Sequence, residues 1–510
     1  MHLSVLLDMS ADAMGDRTAV TDVDGSVTYA ALRDGAREIA RSWSEGDARE
    51  RVVFLGLNSR AVPYTLFASA LLGAAFTPLN YRLTDAELRR IAERAAPAIA
   101  VVDDDIVDRL AGVDGLTIVP VSELLSLARD APADVEFDSI PDPDQIGVLL
   151  FTSGTTGEPK AAVLRHVHLA SYVFSTLDFA GAEDDEAGLV SVPPYHIAGI
   201  SAIVSSVFTG RRIAYLANFT PAGWIEAVAD QHVTHAMVVP TMLGRVLDEL
   251  DARVAAGAGG VPTLRHLSYG GGRMPVDVIE RAVATLPTVD FVNAYGLTET
   301  SSTISILAPD DHREALASDD PAIRARLGSV GRPSPAIEVS IRDEGGQPVS
   351  AGVQGEIWVR GDQVSGEYVG RESRATDGWF PTNDSGLLDD AGYLYVHGRL
   401  DDVIVRGGEN ISPGEIEDVL RTHPEVVDVA VFGVPSTEWG ETVAAVIVTN
   451  DGSGADFDQL RSFVRDQLRS SRVPEIIEFR TELPYSETGK LLRRVLRAEL
   501  ADLREGRAAD

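Results

Sequence analysis

Apolar residues in the first 150 positions recur in two alternating modes. Short apolar runs, Arg51-Val-Val-Phe-Leu-Gly-Leu57 and Ala98-Ile-Ala-Val-Val102, have the length and β-branched content of buried strands. Between them, residues 58–72 carry apolar side chains at helical spacing. Thr84 followed by Glu87 gives a capping-box pattern ahead of a helix that carries Leu88 and Ile91. This alternation predicts an α/β fold with parallel strands. The same texture continues through strands expected at 145–151, 233–239 and 264–269. Over 337–359 it changes to short alternating strands with Gly turns, such as Gly355-Glu-Ile-Trp-Val-Arg360, which predicts a β-rich subdomain.

After Gly398-Arg-Leu-Asp401 the character shifts again. Ser412-Pro-Gly-Glu415 reads as a capping box with Pro413 at the first helical position, and Ile416, Val419 and Leu420 share one face. A strand at 426–434 and amphipathic helices at 457–468 and 491–500 follow. The chain is thus expected to hold a large N-terminal domain of parallel-sheet α/β layers plus a β-rich subdomain, and a smaller α+β C-terminal domain.

Composition narrows the functions open to this fold. With 510 residues, 45% of them hydrophobic and 24% charged, the chain can bury a large core and is not disordered. No run of about 18 apolar residues is uninterrupted, and the N-terminus lacks a basic segment ahead of an apolar one. A cytoplasmic protein without a membrane span is expected. The net charge of −34 disfavours a nucleic-acid partner. The absence of cysteine excludes disulfides, thiolate metal sites and a cysteine nucleophile; the sulfur of any thioester product must come from a partner. Of 44 basic residues only two are lysine, Lys160 and Lys490. In a chain that otherwise uses arginine, these are places where a compact ammonium on a flexible stem is expected to matter.

Lys160 ends the segment Thr152-Ser-Gly-Thr-Thr-Gly-Glu-Pro-Lys160, which packs Ser153, Thr155 and Thr156 around Gly154 and Gly157. Glycines let backbone N–H groups turn toward an anion, and the hydroxyls add donors. The spacing differs from a Walker A loop, because Glu158-Pro159 separates Gly157 from Lys160.

The segment resembles the signature loop of the adenylate-forming superfamily: acyl- and aryl-CoA synthetases, peptide-synthetase adenylation domains and beetle luciferases. The resemblance covers nearly the whole chain through Pro194-Tyr-His196, Tyr295-Gly-Leu-Thr-Glu299, Thr382-Asn-Asp384, Gly398-Arg-Leu-Asp-Asp402, Gly407-Gly-Glu-Asn410 and Pro484-Tyr-Ser-Glu-Thr-Gly-Lys490. It implies that the loop from Thr152 to Lys160 holds the ATP phosphates, with Thr152 and Glu299 placing Mg²⁺ and Thr298 beside them. Tyr295 is then expected to stack on adenine. Gly270-Gly271-Gly272 and Gly296 would form a tight wall for adenine and acyl group. Asp384 would accept the ribose hydroxyls, and Arg399 would contact ribose or phosphate. Asn383 stands where the family usually has Gly; Asn also tolerates left-handed backbone.

Lys490 resembles the catalytic lysine of adenylation, and Asp401 the hinge aspartate. The resemblance implies domains at 1–399 and 402–510, a hinge at 400–401, and rotation of the C-terminal domain between half-reactions. Gly407 and Gly408 would then line the path for pantetheine, and Trp439 and Arg472 are candidates for contacting CoA. His196 takes the place of the aspartate that amino-acid adenylation domains use for the substrate amine. It is expected to border the carboxylate and acyl pocket.

The expected acyl wall is Ile197, Ala198, Met237, Gly271, Ala294, Gly296, Ser301 and Ser302, most of them small. That points to a bulky acid: aryl, alicyclic or medium-chain. The leading reading is an AMP-forming carboxylic acid:CoA ligase, monomeric or homodimeric, using ATP, Mg²⁺ and CoA. A second reading passes the acyl group to a carrier-protein thiol. A third, a non-catalytic ATP-binding protein, is disfavoured by the presence of Lys160, Glu299 and Lys490.

Overall fold

The computed structural model describes residues 1–44, 50–138, 142–152, 160–257, 259–370, 376–407, 409–436, 439–450, 456–485 and 491–500. Two sheets dominate the N-terminal domain. In the first, Ile146–Thr152, Ala75–Pro78, Arg51–Leu55, Ala98–Val102 and Leu116–Pro120 run parallel in that spatial order. Lys160–Arg165 returns antiparallel to Ile146–Thr152, and Glu367–Tyr368 pairs beyond it. The second sheet has nine strands. Its parallel centre runs Asp290–Leu297, His266–Gly270, His235–Val238, Ala187–Val190, Arg212–Tyr215 and Thr18–Asp22.

Helices Leu3–Met14, Tyr29–Ser44, Ala61–Leu71 and Ile197–Thr209 fill the space between the sheets. Their buried side chains share one core with Val20 and Ile213 of one sheet and Val52, Phe54 and Val148 of the other. Ala61–Leu71 is buried at every position, and its Thr65 and Ser69 hydroxyls donate back to the carbonyls of Ala61 and Thr65, which is why its sequence has no charged face. The β-rich subdomain is an antiparallel sheet of Glu338–Arg342, Gly355–Arg360, Phe380–Leu388 and Leu394–Arg399.

The C-terminal domain is built on the hairpin of Val426–Ser436 and Gly440–Thr449, with Ile476–Arg480 parallel to the latter. Pro413–Arg421 and Phe457–Gln467 cover one face through Ile416, Leu420, Leu460 and Val464. A helix over 493–500 covers the other with Leu496 and Leu500 against Phe432 and Val446. No helix among the described residues is long and apolar enough to cross a membrane.

The Thr84 capping box forms: Thr84 N donates to Glu87 Oε2 at 3.1 Å and Glu87 N to Thr84 Oγ1 at 3.4 Å, a contribution of about 1 kcal/mol. The capping box expected at Ser412 does not. Ser412 is the N-cap and Pro413 the first helical residue, but the Ser412 hydroxyl makes no cap bond and donates to the carbonyl of His397 at 2.9 Å. Glu415 faces Arg472 at 3.3 Å. A local cap has given way to a tie between the two domains. The strands expected at 233–239 and 264–269 are shorter or shifted, His235–Val238 and His266–Gly270.

Candidate active site

Several of the residues singled out in the sequence converge on a cavity of about 1030 Å³ between the two domains. From the N-terminal domain it takes Gly271, Gly272, Ala294, Tyr295, Gly296, Asp384 and Arg399; from the C-terminal domain it takes Asp402, Glu417, Tyr485, Leu491 and Arg493.

The N-terminal side is built by close backbone approach. A Cβ on Gly270 would stand 2.2 Å from the carbonyl oxygen of Ala294, and one on Gly296 would stand 1.8 Å from that of Ser302. Both lie below any real contact, so these strands can come together only with glycine there. Tyr295 follows on Asp290–Leu297, and its hydroxyl donates to Asp384 Oδ2 at 2.6 Å. Arg399 Nε meets Asp384 Oδ1 at 2.9 Å, and Arg399 Nη1 donates to the carbonyl of Thr382 at 3.0 Å. Asp384 is 5% exposed. Burial and the Asp384 carboxylate together raise the Tyr295 phenol well above its ordinary range, so it remains a donor. The triad holds an aromatic face, a carboxylate and a guanidinium in fixed relation at the cavity edge.

Next to it, Asn383 adopts the left-handed backbone expected of it, with φ +64°. Its amide donates to Asp401 Oδ2 at 3.0 Å, which ties the hinge candidate to the Asp384 strand.

Thr152 and Lys160 are opposed in register across the hairpin of Ile146–Thr152 and Lys160–Arg165. Ser153, Gly154, Thr155, Thr156 and Gly157 between them lie outside the described residues, as do Gly408 and Lys490. Lys160 Nζ sits 6.0 Å from the ring centre of Tyr368, and the Tyr368 hydroxyl donates to Glu299 Oε1. One tyrosine on the neighbouring strand therefore gathers the lysine and the acid that the sequence places 139 positions apart. Tyr368 was not singled out in the sequence; the signal available was an aromatic between Gly366 and Gly370. Glu299 lies in a short 3₁₀ turn with Thr298 and Thr300, fixed by Leu297 N donating to Thr300 Oγ1 at 2.9 Å.

His196 caps the start of Ile197–Thr209 without a side-chain cap bond, and its Nε2 is buried with no partner among the described residues. Burial, helped by the Arg82 cation, lowers it to about 4, so the ring is neutral near pH 7.

Of the expected acyl wall, Gly271, Ala294 and Gly296 face the cavity; Ile197, Ala198, Met237, Ser301 and Ser302 do not line it, and neither does His196. Ile197 packs against the central core instead. Ser302 is held by a hydroxyl contact with Ser201 at 3.2 Å, and Ser301 and Ser302 both have positive φ, +54° and +108°. The apolar wall continues along Val192, Phe219, Val239, Met242 and Val278, which sequence spacing alone could not orient.

Gly407, Trp439 and Arg472, expected near CoA, are apart from the cavity. Gly407 has φ +58° and its N–H donates to the carbonyl of Trp439 at 2.8 Å. Trp439 is 43% exposed, and Arg472 is paired with Glu409 and Glu415. None of Gly407, Trp439 and Arg472 lines the cavity.

No group of three or more His, Cys, Asp or Glu side chains among the described residues could hold a metal by itself. Glu299 offers one carboxylate. That suits Mg²⁺, which keeps waters and shares substrate phosphate oxygens instead of occupying an all-protein cage.

Comparison with known proteins identifies the family. The family described as AMP-binding enzyme matches residues 7–369, and the AMP-binding enzyme C-terminal domain matches 415–490. A feruloyl-CoA synthase from Amycolatopsis sp. is 33% identical over 485 residues, covering 93% of this chain and 94% of the relative. A 2-succinylbenzoate–CoA ligase from Bacillus licheniformis is 32% identical over 498 residues, covering 96% and 98%. Among solved structures, o-succinylbenzoate CoA synthetase from Bacillus subtilis in complex with its acyl-adenylate intermediate superposes with a TM-score of 0.82 at 27% identity, covering 96% of this chain and 97% of that one. With both family domains matched in order and relatives above 30% identity along nearly its full length, the chain belongs to the AMP-binding enzyme family of the adenylate-forming superfamily.

Proposed function

We propose that this chain is an AMP-forming carboxylic acid:CoA ligase that activates a bulky aryl, alicyclic or medium-chain acid. The observation that carries the reading is the cavity between the domains. It brings Tyr295, Asp384 and Arg399 to face Tyr485 and Leu491, the described residues that bracket the segment carrying Lys490.

In the first half-reaction a carboxylate oxygen of the acid attacks the α-phosphorus of ATP, the bond to the bridging oxygen breaks, and pyrophosphate leaves. Tyr295 offers its ring to adenine, and Asp384, oriented by Tyr295 and Arg399, accepts the ribose hydroxyls. Lys160 and the hydroxyls of 152–156 hold the phosphates. Glu299 and Thr152 would hold Mg²⁺, which supplies charge neutralisation of the phosphates when bound. Lys490 stabilises the negative charge that builds on the phosphate and carboxylate oxygens. In the second half-reaction the CoA sulfur, having lost its proton, attacks the acyl carbon and AMP leaves. Here the C-terminal domain turns about Asp401 so that Gly407 and Gly408 line the CoA path.

The open apolar wall, with glycine at 271, 272 and 296, supports a bulky acid over acetate. The test is AMP release with CoA across aryl, alicyclic and medium-chain acids, beside acid-dependent pyrophosphate exchange. Exchange with none of them would sink the reading. Exchange without acyl-CoA formation, but with loading of a holo carrier protein, would replace CoA by that acceptor.

A further inference from the structure

The C-terminal side of the cavity carries charges that the mechanism above leaves unused. The strand Val426–Ser436 pairs on one side only among the described residues, with Gly440–Thr449, so its other edge needs partners for its backbone. Side chains supply them. Val431 N donates to Glu417 Oε1 at 2.8 Å, and the Val431 carbonyl accepts from Arg493 Nε at 3.1 Å. Arg493 Nη2 reaches both Glu417 oxygens, at 2.7 and 2.9 Å. Arg493 Nη1 lies 3.6 Å from Asp402, beside the hinge. The Glu417 side chain is only 9% exposed.

A second anchor stands upstream. The Tyr485 hydroxyl donates to Asp428 Oδ2 at 2.7 Å, and Asp428 is paired with Arg421 at 2.8 Å. Tyr485 and Leu491 form an antiparallel bridge, and Leu492 N donates to the carbonyl of Pro484 at 2.9 Å. The chain is therefore pinned on both sides of residues 486–490, and Lys490 directly precedes Leu491.

We propose that Arg493, held by Glu417, and Tyr485, held by Asp428, are the positioning residues that set Lys490 for adenylation; the inference rests on the role given to Lys490 above. A lysine stem has several free torsions, and a catalytic charge acts only when its base is fixed. A buried ion pair adds little net stability over apolar packing but fixes geometry well when every hydrogen bond is satisfied. The forked guanidinium of Arg493, bonded at once to a carboxylate and to a strand carbonyl, is such a fixture.

The test is acid-dependent pyrophosphate exchange beside thioester formation from supplied acyl-adenylate, in the full-length enzyme. Arg493→Gln should lower the exchange kcat roughly 10- to 100-fold, the scale of a 1 Å misplacement. KM for ATP and acid, and the thioester half-reaction, should stay within about twofold of the parent. Arg493→Lys should recover part of the loss, and Tyr485→Phe, which removes one hydroxyl, should cost roughly three- to tenfold in exchange alone. Tyr485→Phe carries the test by itself if Arg493→Gln does not fold. Unchanged exchange, or an equal fall of both half-reactions, overturns the inference. Lys490→Ala in the same assay separates the two levels. If it exchanges normally, the underlying reading fails. If it is inactive while Arg493→Gln and Tyr485→Phe are not, only the positioning inference fails.

Discussion

The two sides of the cavity are made in different ways. The N-terminal side is main chain brought so close that Gly270 and Gly296 have no room for a methyl group, with one buried triad, Tyr295–Asp384–Arg399, laid on it. The C-terminal side is made of long charged side chains, Glu417, Arg421, Asp428 and Arg493, that cover a strand edge. A wall of main chain is preformed and fails abruptly. A wall of ion pairs inside one domain, Glu417 with Arg493 and Arg421 with Asp428, holds its shape by many separate contacts and should weaken one contact at a time.

The sharpest test of this contrast is Lys490→Ala. It should lower adenylation by roughly a thousandfold or more, on the scale of removing a charge stabiliser from a transition state, and leave thioester formation from supplied acyl-adenylate largely intact. Equal loss in both assays would break the assignment of one half-reaction to each face. Asp401→Pro should do the reverse, blocking thioester formation and sparing adenylation, because φ at the hinge is then fixed. Next in size, Gly296→Ala should cost about 1–3 kcal/mol of stability, or more, through overpacking against Ser302, read by urea unfolding. Tolerance of that methyl would show the N-terminal wall to be softer than its geometry. Tyr295→Phe should raise the KM for ATP roughly fivefold by freeing Asp384 from a hydrogen bond worth about 1 kcal/mol.

The last effect is one of pH and is read in stability instead of rate. The buried rings of His2, at about 4, and His166, at about 3, belong to the N-terminal domain, and burial is the main cause of both shifts. Their folded values lie below the ordinary 6.5, so the unfolded chain binds more protons below that pH. The stability they confer is complete above about 6.5 and is lost as pH falls toward 4 and then 3. Hydrogen exchange at pH 5 against pH 7 should show protection falling in the helices around His2 and His166, by on the order of 1 kcal/mol per pH unit for each ring. Equal loss of protection in the C-terminal domain would remove the contrast.

Much of the architecture was legible because burial leaves a period. The apolar runs at 51–57 and 98–102 became parallel strands, and the Thr84 capping box formed as written, since all its partners lie within four residues. Ser412 misled for the opposite reason: its hydroxyl had a distant competitor, the carbonyl of His397, that no local pattern reveals. The expected acyl wall was drawn from sequence neighbours, yet which side of a helix meets a cavity is decided by packing, and Ile197 went to the core. Tyr368 and Arg493 carried no local signal, because their partners Glu299 and Glu417 lie 69 and 76 positions away.

Trp439 has one more consequence. It is the one tryptophan of the chain among its exposed large apolar side chains, beside Gly407 on the outer face of the C-terminal domain, whereas Trp224 is fully buried. The protein thus carries an intrinsic optical gauge. If the C-terminal domain turns this face inward, Trp439 passes from solvent into cover, and acrylamide should quench its emission less. The fluorescence of the unlabelled enzyme would then report, during turnover, how often each arrangement is visited.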